Sequence, residues 1–97
     1  MRAAAIRIEI HIPTAESLKE KRAKLRPVIE GIRRLGSYSV AEVDNQEFWQ
    51  RATLGVAVVT RDSRSLDAAL TALHRYLDSR LEIEVVDVQE YQLEERE

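Results

Sequence analysis

The fold is decided by residues 39–60, which read SVAEVDNQEFWQRATLGVAVVT. Two strand-like runs, 38–43 and 53–60, lie on either side of a polar connection that contains the only Trp and the only Phe of the chain. Such runs are typical of strands, and the short connection between them predicts a β-hairpin. The second run is apolar or small on both of its alternating sides, which indicates a central strand.

The segment before the hairpin predicts a strand followed by a helix. Residues 3–12 place isoleucines on one face and polar side chains on the other, and Pro13 ends this strand because proline cannot donate a ladder hydrogen bond. Ser17 and Glu20 have the spacing of a capping box, so the helix should begin at residue 18. Its buried stripe recurs at helical spacing and consists of Leu18, Leu25, Val28, Ile29, Ile32 and Leu35.

The segment after the hairpin predicts a second helix and a last strand. Asp62 or Ser63 can cap this helix. Its apolar stripe consists of Leu66, Ala69, Leu70, Leu73 and Leu77. A fourth strand should run from residue 83 to about residue 93, and the tail beyond it should fray. The order βαββαβ predicts one α+β domain over residues 1–97, a ferredoxin-like sandwich with a four-stranded antiparallel sheet and two helices on one face.

Composition limits the functions that this domain can have. The 97 residues include no Cys and two His, so a disulfide, a thiol nucleophile and a dedicated metal site are not expected, and no cofactor is predicted. No run approaches the roughly 20 apolar residues of a membrane helix, and a signal peptide is lacking, so we expect a cytoplasmic protein without a membrane partner. Glu9 and His11 could form an acid–base pair, but no nucleophile elbow or glycine-rich phosphate loop accompanies them, and we do not expect an enzyme.

Two motifs connect the sequence to a known family. They are Ser17-Leu18-Lys19-Glu20-Lys21-Arg22 at the start of the first helix, and Ala41-Glu42-Val43-Asp44 with Trp49-Gln50-Arg51-Ala52 in the hairpin. Both resemble the recurring pattern of the DUF503 (YlxP-like) family of small bacterial proteins, and the likeness covers nearly the whole chain. The resemblance implies the same fold and no established activity. Genes of similar proteins often lie among genes for a translation initiation factor and a ribosome-binding factor, which implies an association with translation.

The first candidate site is the basic first helix. Residues 19–34 carry seven basic side chains against two acidic ones, whereas residues 82–97 carry seven acidic side chains against one basic one. Phosphates of ribosomal RNA or of a ribonucleoprotein could bind near the start of this helix. The preferred alternative is a solvated helix face, on which Lys21 and Arg22 cover the core edge with their stems and pair with nearby acids. The RNA-binding candidates are Lys19, Lys21, Arg22, Lys24 and Arg26.

The second candidate site is the connection between the hairpin strands. It could be a polar recognition site framed by Trp49, because functional groups concentrate on loops that rigid elements hold. The structural interpretation is preferred, in which Phe48 or Trp49 plugs the end of the sheet while Arg51 pairs with a nearby acid, Asp44 or Glu42. The site candidates are Glu42, Asp44, Gln46, Trp49, Gln50 and Arg51.

The third candidate site is the sheet face that the helices leave uncovered. Alternation turns Ala41 and Val43 inward and places Val40, Ala57 and Val59 on the uncovered face, where an apolar patch favours a homodimer. No aromatic side chain lies on the central strands, which disfavours RNA binding by base stacking on the sheet. Two functions therefore remain open. The protein is either a cytoplasmic binding protein that contacts RNA through its basic helix, or a structural or regulatory homodimer whose sheet face binds itself or a small ligand.

Overall fold

Six secondary-structure elements follow one another in the predicted order in the computed structural model, which describes residues 1–95. They are β1 (Arg2–His11), α1 (Leu18–Leu35), β2 (Tyr38–Asp44), β3 (Arg51–Thr60), α2 (Ser63–Asp78) and β4 (Glu84–Glu94). The strands form one sheet in the order β2-β3-β1-β4, and every neighbouring pair is antiparallel. This arrangement is the ferredoxin-like α+β sandwich that the sequence predicts.

The core lies between one face of the sheet and the two helices. Even-numbered residues of the central strands β1 and β3 point into it, and the apolar stripes of both helices cover them. Tyr76 joins the helices, because its hydroxyl on α2 donates to the Val28 carbonyl of α1 at 3.2 Å. Gly31 makes this contact possible, since a Cβ atom at that position would overlap the Tyr76 side chain.

Both helices begin at side chains that bind free backbone N–H groups. The Ser17 hydroxyl accepts from the N–H of Glu20 at 3.0 Å, and the Glu20 carboxylate accepts from the N–H of Glu16 at 2.6 Å, one residue earlier than in the usual capping box. Asp62 caps α2 by accepting from the N–H of Ser65 at 2.9 Å. Within residues 1–95, neither helix contains a stretch long and apolar enough to cross a membrane.

Strand β2 turns its side chains the opposite way from the prediction. Val40 pairs with Val56, whose side chain points into the core, and only 6% of Val40 is exposed. Ala41 and Val43 lie on the uncovered face instead. Apolar residues occur on both alternating sides of this short strand, so the pattern alone does not decide its orientation, and a register shift follows near its end. The prediction that Val40 belongs to the uncovered face is therefore wrong.

The last strand forms one edge of the sheet and continues slightly beyond its predicted end. It pairs with β1 from Glu84 to Glu94, with a register shift opposite Glu9 and Ile10. Glu94, which lies in the tail that we expected to fray after about residue 93, is paired with Arg2. Residues 96 and 97, the rest of that predicted tail, lie outside the described residues.

Candidate functional site

One buried lysine ties the start of α1 to the end of the hairpin strand β2. The Lys21 side chain is 1% exposed, and its ammonium group donates to the backbone carbonyl of Asn45 at 2.8 Å and to that of Gln46 at 3.4 Å. The Glu42 carboxylate lies 2.7 Å from the same nitrogen and supplies the compensating charge. Because an unpaired buried ammonium group is very costly, these oxygens are what allow Lys21 to be buried.

The β2–β3 loop, residues 45–50, is held at both of its ends. Asn45 has a left-handed backbone with a φ of 60°, which Asn adopts more readily than most residues, and its carbonyl also accepts from the N–H of Phe48 at 3.2 Å. At the other end, the Gln50 side chain donates to the Ala15 carbonyl at 3.1 Å, and the Gln50 carbonyl accepts from the N–H of Ile12 at 2.8 Å. The loop is therefore anchored to the residues that lead from β1 into α1.

A closed ring of polar contacts lies where the loop meets the uncovered face of the sheet. Arg7 donates to Glu9 and to Asp44, each at 3.1 Å. Glu9 accepts from the Thr53 hydroxyl at 2.7 Å, and that hydroxyl oxygen accepts from the Asn45 side chain at 2.8 Å. The backbone N–H of Asn45 closes the ring by donating to Asp44 at 2.8 Å, and this bond and the Arg7 guanidinium hold the pKa of Asp44 below its usual value. The ionised carboxylate thus stabilises the site at neutral pH, and this contribution is lost as the pH falls through the depressed pKa.

Glu9 and His11, which could have formed an acid–base pair, bind different partners. Glu9 belongs to the polar ring, and the Nδ1 atom of His11 lies 3.1 Å from the Glu84 carboxylate across β1 and β4. Within residues 1–95, no three His, Asp or Glu side chains come together as the ligands of a metal ion would. Glu9 and His11 are therefore each bound to another side chain, as polar residues in structural networks commonly are.

The two aromatic side chains of the loop do not plug the end of the sheet. Phe48 is 53% exposed and Trp49 is 54% exposed, so the preferred structural interpretation is wrong for both. The Arg51 guanidinium stacks over the Phe48 ring, 5.2 Å from its centroid, while the acids predicted to pair with it bind Arg7 and Lys21 instead. We call Phe48, Trp49 and Arg51 the aromatic platform. It borders a depression of about 590 Å³ that is also lined by His11, Glu47 and Gln50.

A second depression, of about 290 Å³, runs between α1 and the free edge of β2. Its helix side carries three arginines, Arg22, Arg26 and Arg33, and we call it the basic groove. Arg33 is partnered, because it donates to the Glu30 carboxylate at 2.9 Å. Arg22 and Arg26 are exposed and form no ion pair within residues 1–95.

Four of the five predicted RNA-binding residues are accessible. Lys19, Arg22 and Arg26 are exposed, and Lys24 is half-buried. Lys21 has almost no exposed surface, and its ammonium group binds the loop and Glu42. The prediction that Lys21 contacts RNA is therefore wrong. Its place beside the apolar stripe of α1 predicted that it pairs with an acid, but its almost complete burial could not be predicted because its partners are distant in sequence.

The uncovered face of the sheet divides into a polar half and an apolar half. The polar half is the ring of contacts around Thr53. The apolar half is a shallow depression of about 380 Å³ whose floor consists of small residues, Ala5, Gly55 and Ala57. Large apolar side chains, all about half exposed or more, stand on and around this floor: Val43, Val59, Tyr91 and Leu93.

Two of the three predicted interface residues, Ala57 and Val59, lie on this apolar half. Val40 lies on the opposite face of the sheet, against the core. Sequence reasoning missed Tyr91 and Leu93, which reach the apolar half because they pair with alanines of β1. Alternation shows which sheet face these two side chains occupy only when the partner strand and the register are known.

The fold and these surfaces define a small ferredoxin-like α+β protein whose functional groups lie on one loop, one helix flank and one sheet face. The model of a family described as protein of unknown function (DUF503) matches residues 3–90, and the chain belongs to this family. It is similar to the uncharacterized protein YlxP of Bacillus subtilis (strain 168), with 34% identity over 76 residues that cover 78% of this chain and 83% of that protein. The match confirms the resemblance that the two sequence motifs indicate.

Solved structures with low sequence identity share the fold. The structural genomics protein YJCS has a TM-score of 0.54 and 10% identity, and the alignment covers 95% of this chain and 99% of that one. Rv0793 from Mycobacterium tuberculosis has a TM-score of 0.52 and 20% identity, with coverage of 100% and 97%. A de novo designed protein, Foldit4, has a TM-score of 0.53 and 12% identity, with coverage of 97% and 99%. Identities this low show the fold alone.

Replacing Lys21 with Met should destabilise the domain. Methionine keeps the unbranched stem of the side chain but leaves the Glu42 carboxylate and the Asn45 carbonyl without the ammonium group. We expect the free energy of unfolding to fall by about 3 kcal/mol, the lower end of the range for breaking a buried pair, because Glu42 is 22% exposed. Urea melts measure this change, and the exposed control Lys19→Met should change stability by less than about 0.5 kcal/mol. Equally small losses in both variants would contradict the role of Lys21.

Proposed function

We propose that this protein is a cytoplasmic RNA-binding protein linked to translation or ribosome maturation, and that its basic groove contacts RNA phosphates. The observation that carries the proposal is the pair Arg22 and Arg26, two exposed guanidinium groups that line one groove and have no ion pair within residues 1–95. A solvated face with paired charges describes Arg33, which binds Glu30, but it does not describe these two. Guanidinium groups bind phosphate through two parallel hydrogen bonds, which suits such a groove to RNA.

The distribution of charge supports a polyanion on this side of the molecule. Lys19 and Lys24 add to the positive charge of α1. Strand β4, by contrast, carries four acidic side chains, Glu84, Asp87, Glu90 and Glu94. Since β2 and β4 are opposite edges of the sheet, the basic groove and the acidic strand are separated by its full width. The field of the protein therefore attracts RNA to the groove side and repels it from the other edge.

The groove is better suited to a charged backbone than to an added peptide strand. A free strand edge can extend a sheet by accepting another strand. Along β2, however, Arg33 donates to the Val40 carbonyl at 3.3 Å and the Gln46 side chain donates to the Glu42 carbonyl at 3.5 Å. Side chains that cover the backbone groups of an edge discourage strand addition. What the groove still offers to a partner is its positive charge.

Replacing Arg22 and Arg26 together with Gln should weaken RNA binding and flatten its salt dependence. Each lost phosphate contact removes about 0.7–0.9 from the magnitude of the slope of log affinity against log salt, so the double variant should lose about 1.4–1.8. The matched control replaces Arg64 and Arg75, which are exposed on α2, and changes the net charge equally. Titration of ribosomal RNA at several salt concentrations measures both quantities. The same affinity and slope in the two double variants would refute the groove as the RNA contact.

A second candidate function is self-association through the apolar half of the uncovered face. The specific observation is a complementary shape, because the floor of Ala5, Gly55 and Ala57 is low and Tyr91 stands beside it, 59% exposed. In a two-fold dimer, the same surface of two copies meets, so a protruding Tyr91 from each copy can fill the depression of the other. Contiguous exposed apolar surface of this kind usually marks an interface.

Ala57→Glu should convert such a dimer to a monomer, because it places an unpaired carboxylate at the centre of the interface. The control is Ala68→Glu, which adds the same charge at an exposed position of α2 and should leave the dimer intact. Light scattering at several protein concentrations gives the mass of each variant. A wild-type protein that stays monomeric at high concentration would exclude this second function. It would not bear on the proposal that the groove binds RNA.

A further inference from the structure

We propose that the aromatic platform stacks an unpaired nucleobase, and that the protein therefore binds single-stranded rather than double-stranded RNA. The inference rests on the RNA-binding function proposed above and names the form of RNA that the site takes. It is carried by the juxtaposition of Phe48 and Trp49, both about half exposed, with the Arg51 guanidinium 5.2 Å from the Phe48 centroid, beside a depression of about 590 Å³.

The platform is held in place before any ligand binds. Lys21 fixes the Asn45 and Gln46 carbonyls, and the Gln50 side chain fixes the other end of the loop to the Ala15 carbonyl. These contacts hold the two ends of the loop without using either aromatic ring. Because the ends of the loop are already fixed, a partner that covers the rings does not first have to order the loop. This lowers the entropic cost of binding.

The chemistry around the rings suits an unpaired base on a negatively charged chain. Every nucleobase has a π-face that stacks on an aromatic ring, and a positive group beside the ring attracts the phosphates that flank the base. Arg51 is the positive group here, whereas the His11 ring is already bound to Glu84. Glu47 is also on the rim and repels phosphate, so the RNA backbone must pass on the Arg51 side. Bases within a duplex stay stacked on one another and cannot be received in this way.

The aromatic platform and the basic groove are linked through the buried side chain of Lys21. The loop that carries the aromatic rings is attached to the first turn of α1 through Lys21, and the next residue, Arg22, lines the groove together with Glu42. We expect a strand whose phosphates follow the groove to pass from Arg22 towards this loop. Basic grooves that track the backbone and aromatic rings that stack the bases are the usual combination in proteins that bind single strands.

The test uses Trp49 as its own reporter, because it is the only Trp in the chain. Oligouridylate and a self-complementary RNA duplex of equal length are titrated into the intact protein, with fluorescence of Trp49 and anisotropy of labelled RNA as readouts. Oligouridylate should quench Trp49 and the duplex should not. Trp49→Ala should weaken oligouridylate binding by about 5- to 140-fold, the usual range for one base stacked on an aromatic ring, without changing the salt slope. Trp49→Phe keeps a ring and should retain most of the affinity.

The outcomes separate the stacking site from the groove. If Trp49→Ala binds oligouridylate as the wild type does while the Arg22 and Arg26 double variant binds more weakly, stacking is refuted and the proposed function stands. If the wild type binds neither RNA, both proposals fail. If Trp49→Ala instead changes the mass of the protein in light scattering without RNA, the platform belongs to a protein interface and the stacking proposal is overturned. An unchanged melting temperature of Trp49→Ala excludes misfolding as the cause of weaker binding.

Discussion

A buried ammonium group needs oxygen partners, and in this protein that requirement joins the first helix to the hairpin. Lys21 enters from the first turn of α1, and its acceptors lie at the end of β2 and in the loop that follows. The two motifs that mark the family, one at the helix start and one in the hairpin, are therefore two sides of the same contact. Losing either side would leave a buried polar group without a partner, which costs more than the net gain of an ordinary hydrogen bond.

The position of the functional groups follows from this contact. Lys21 and Gln50 hold the two ends of the loop, and Phe48 and Trp49 remain exposed between them. Because Arg33 and the side chain of Gln46 cover carbonyls along β2, the neighbouring groove presents charge instead of a free strand edge. The apolar half of the uncovered sheet face is a separate surface, so the proposed RNA contact and the proposed dimer interface use different residues.

The elements, their order and most of the core could be predicted from the local sequence pattern. The isoleucines of β1 all lie on one face of the strand and the leucines of α2 on one face of the helix, so only one orientation buries them. The facing of Val40 could not, because both alternating sides of β2 carry apolar residues and the pairing with β3 decides between them. The burial of Lys21 and the exposure of Trp49 have the same kind of cause. Both depend on contacts between segments that are distant in sequence, and residue type alone favours the opposite arrangement.

The central claim is that Lys21 holds the loop that presents Trp49, and the rotation of the Trp49 ring tests it most directly. Time-resolved fluorescence anisotropy separates tumbling of the whole molecule from faster motion of a loop on the nanosecond timescale. Measured on folded protein, well below the unfolding temperature, the wild type should show little local motion and Lys21→Met should show a pronounced fast component. Identical decays in the two proteins would contradict the claim that this lysine fixes the site.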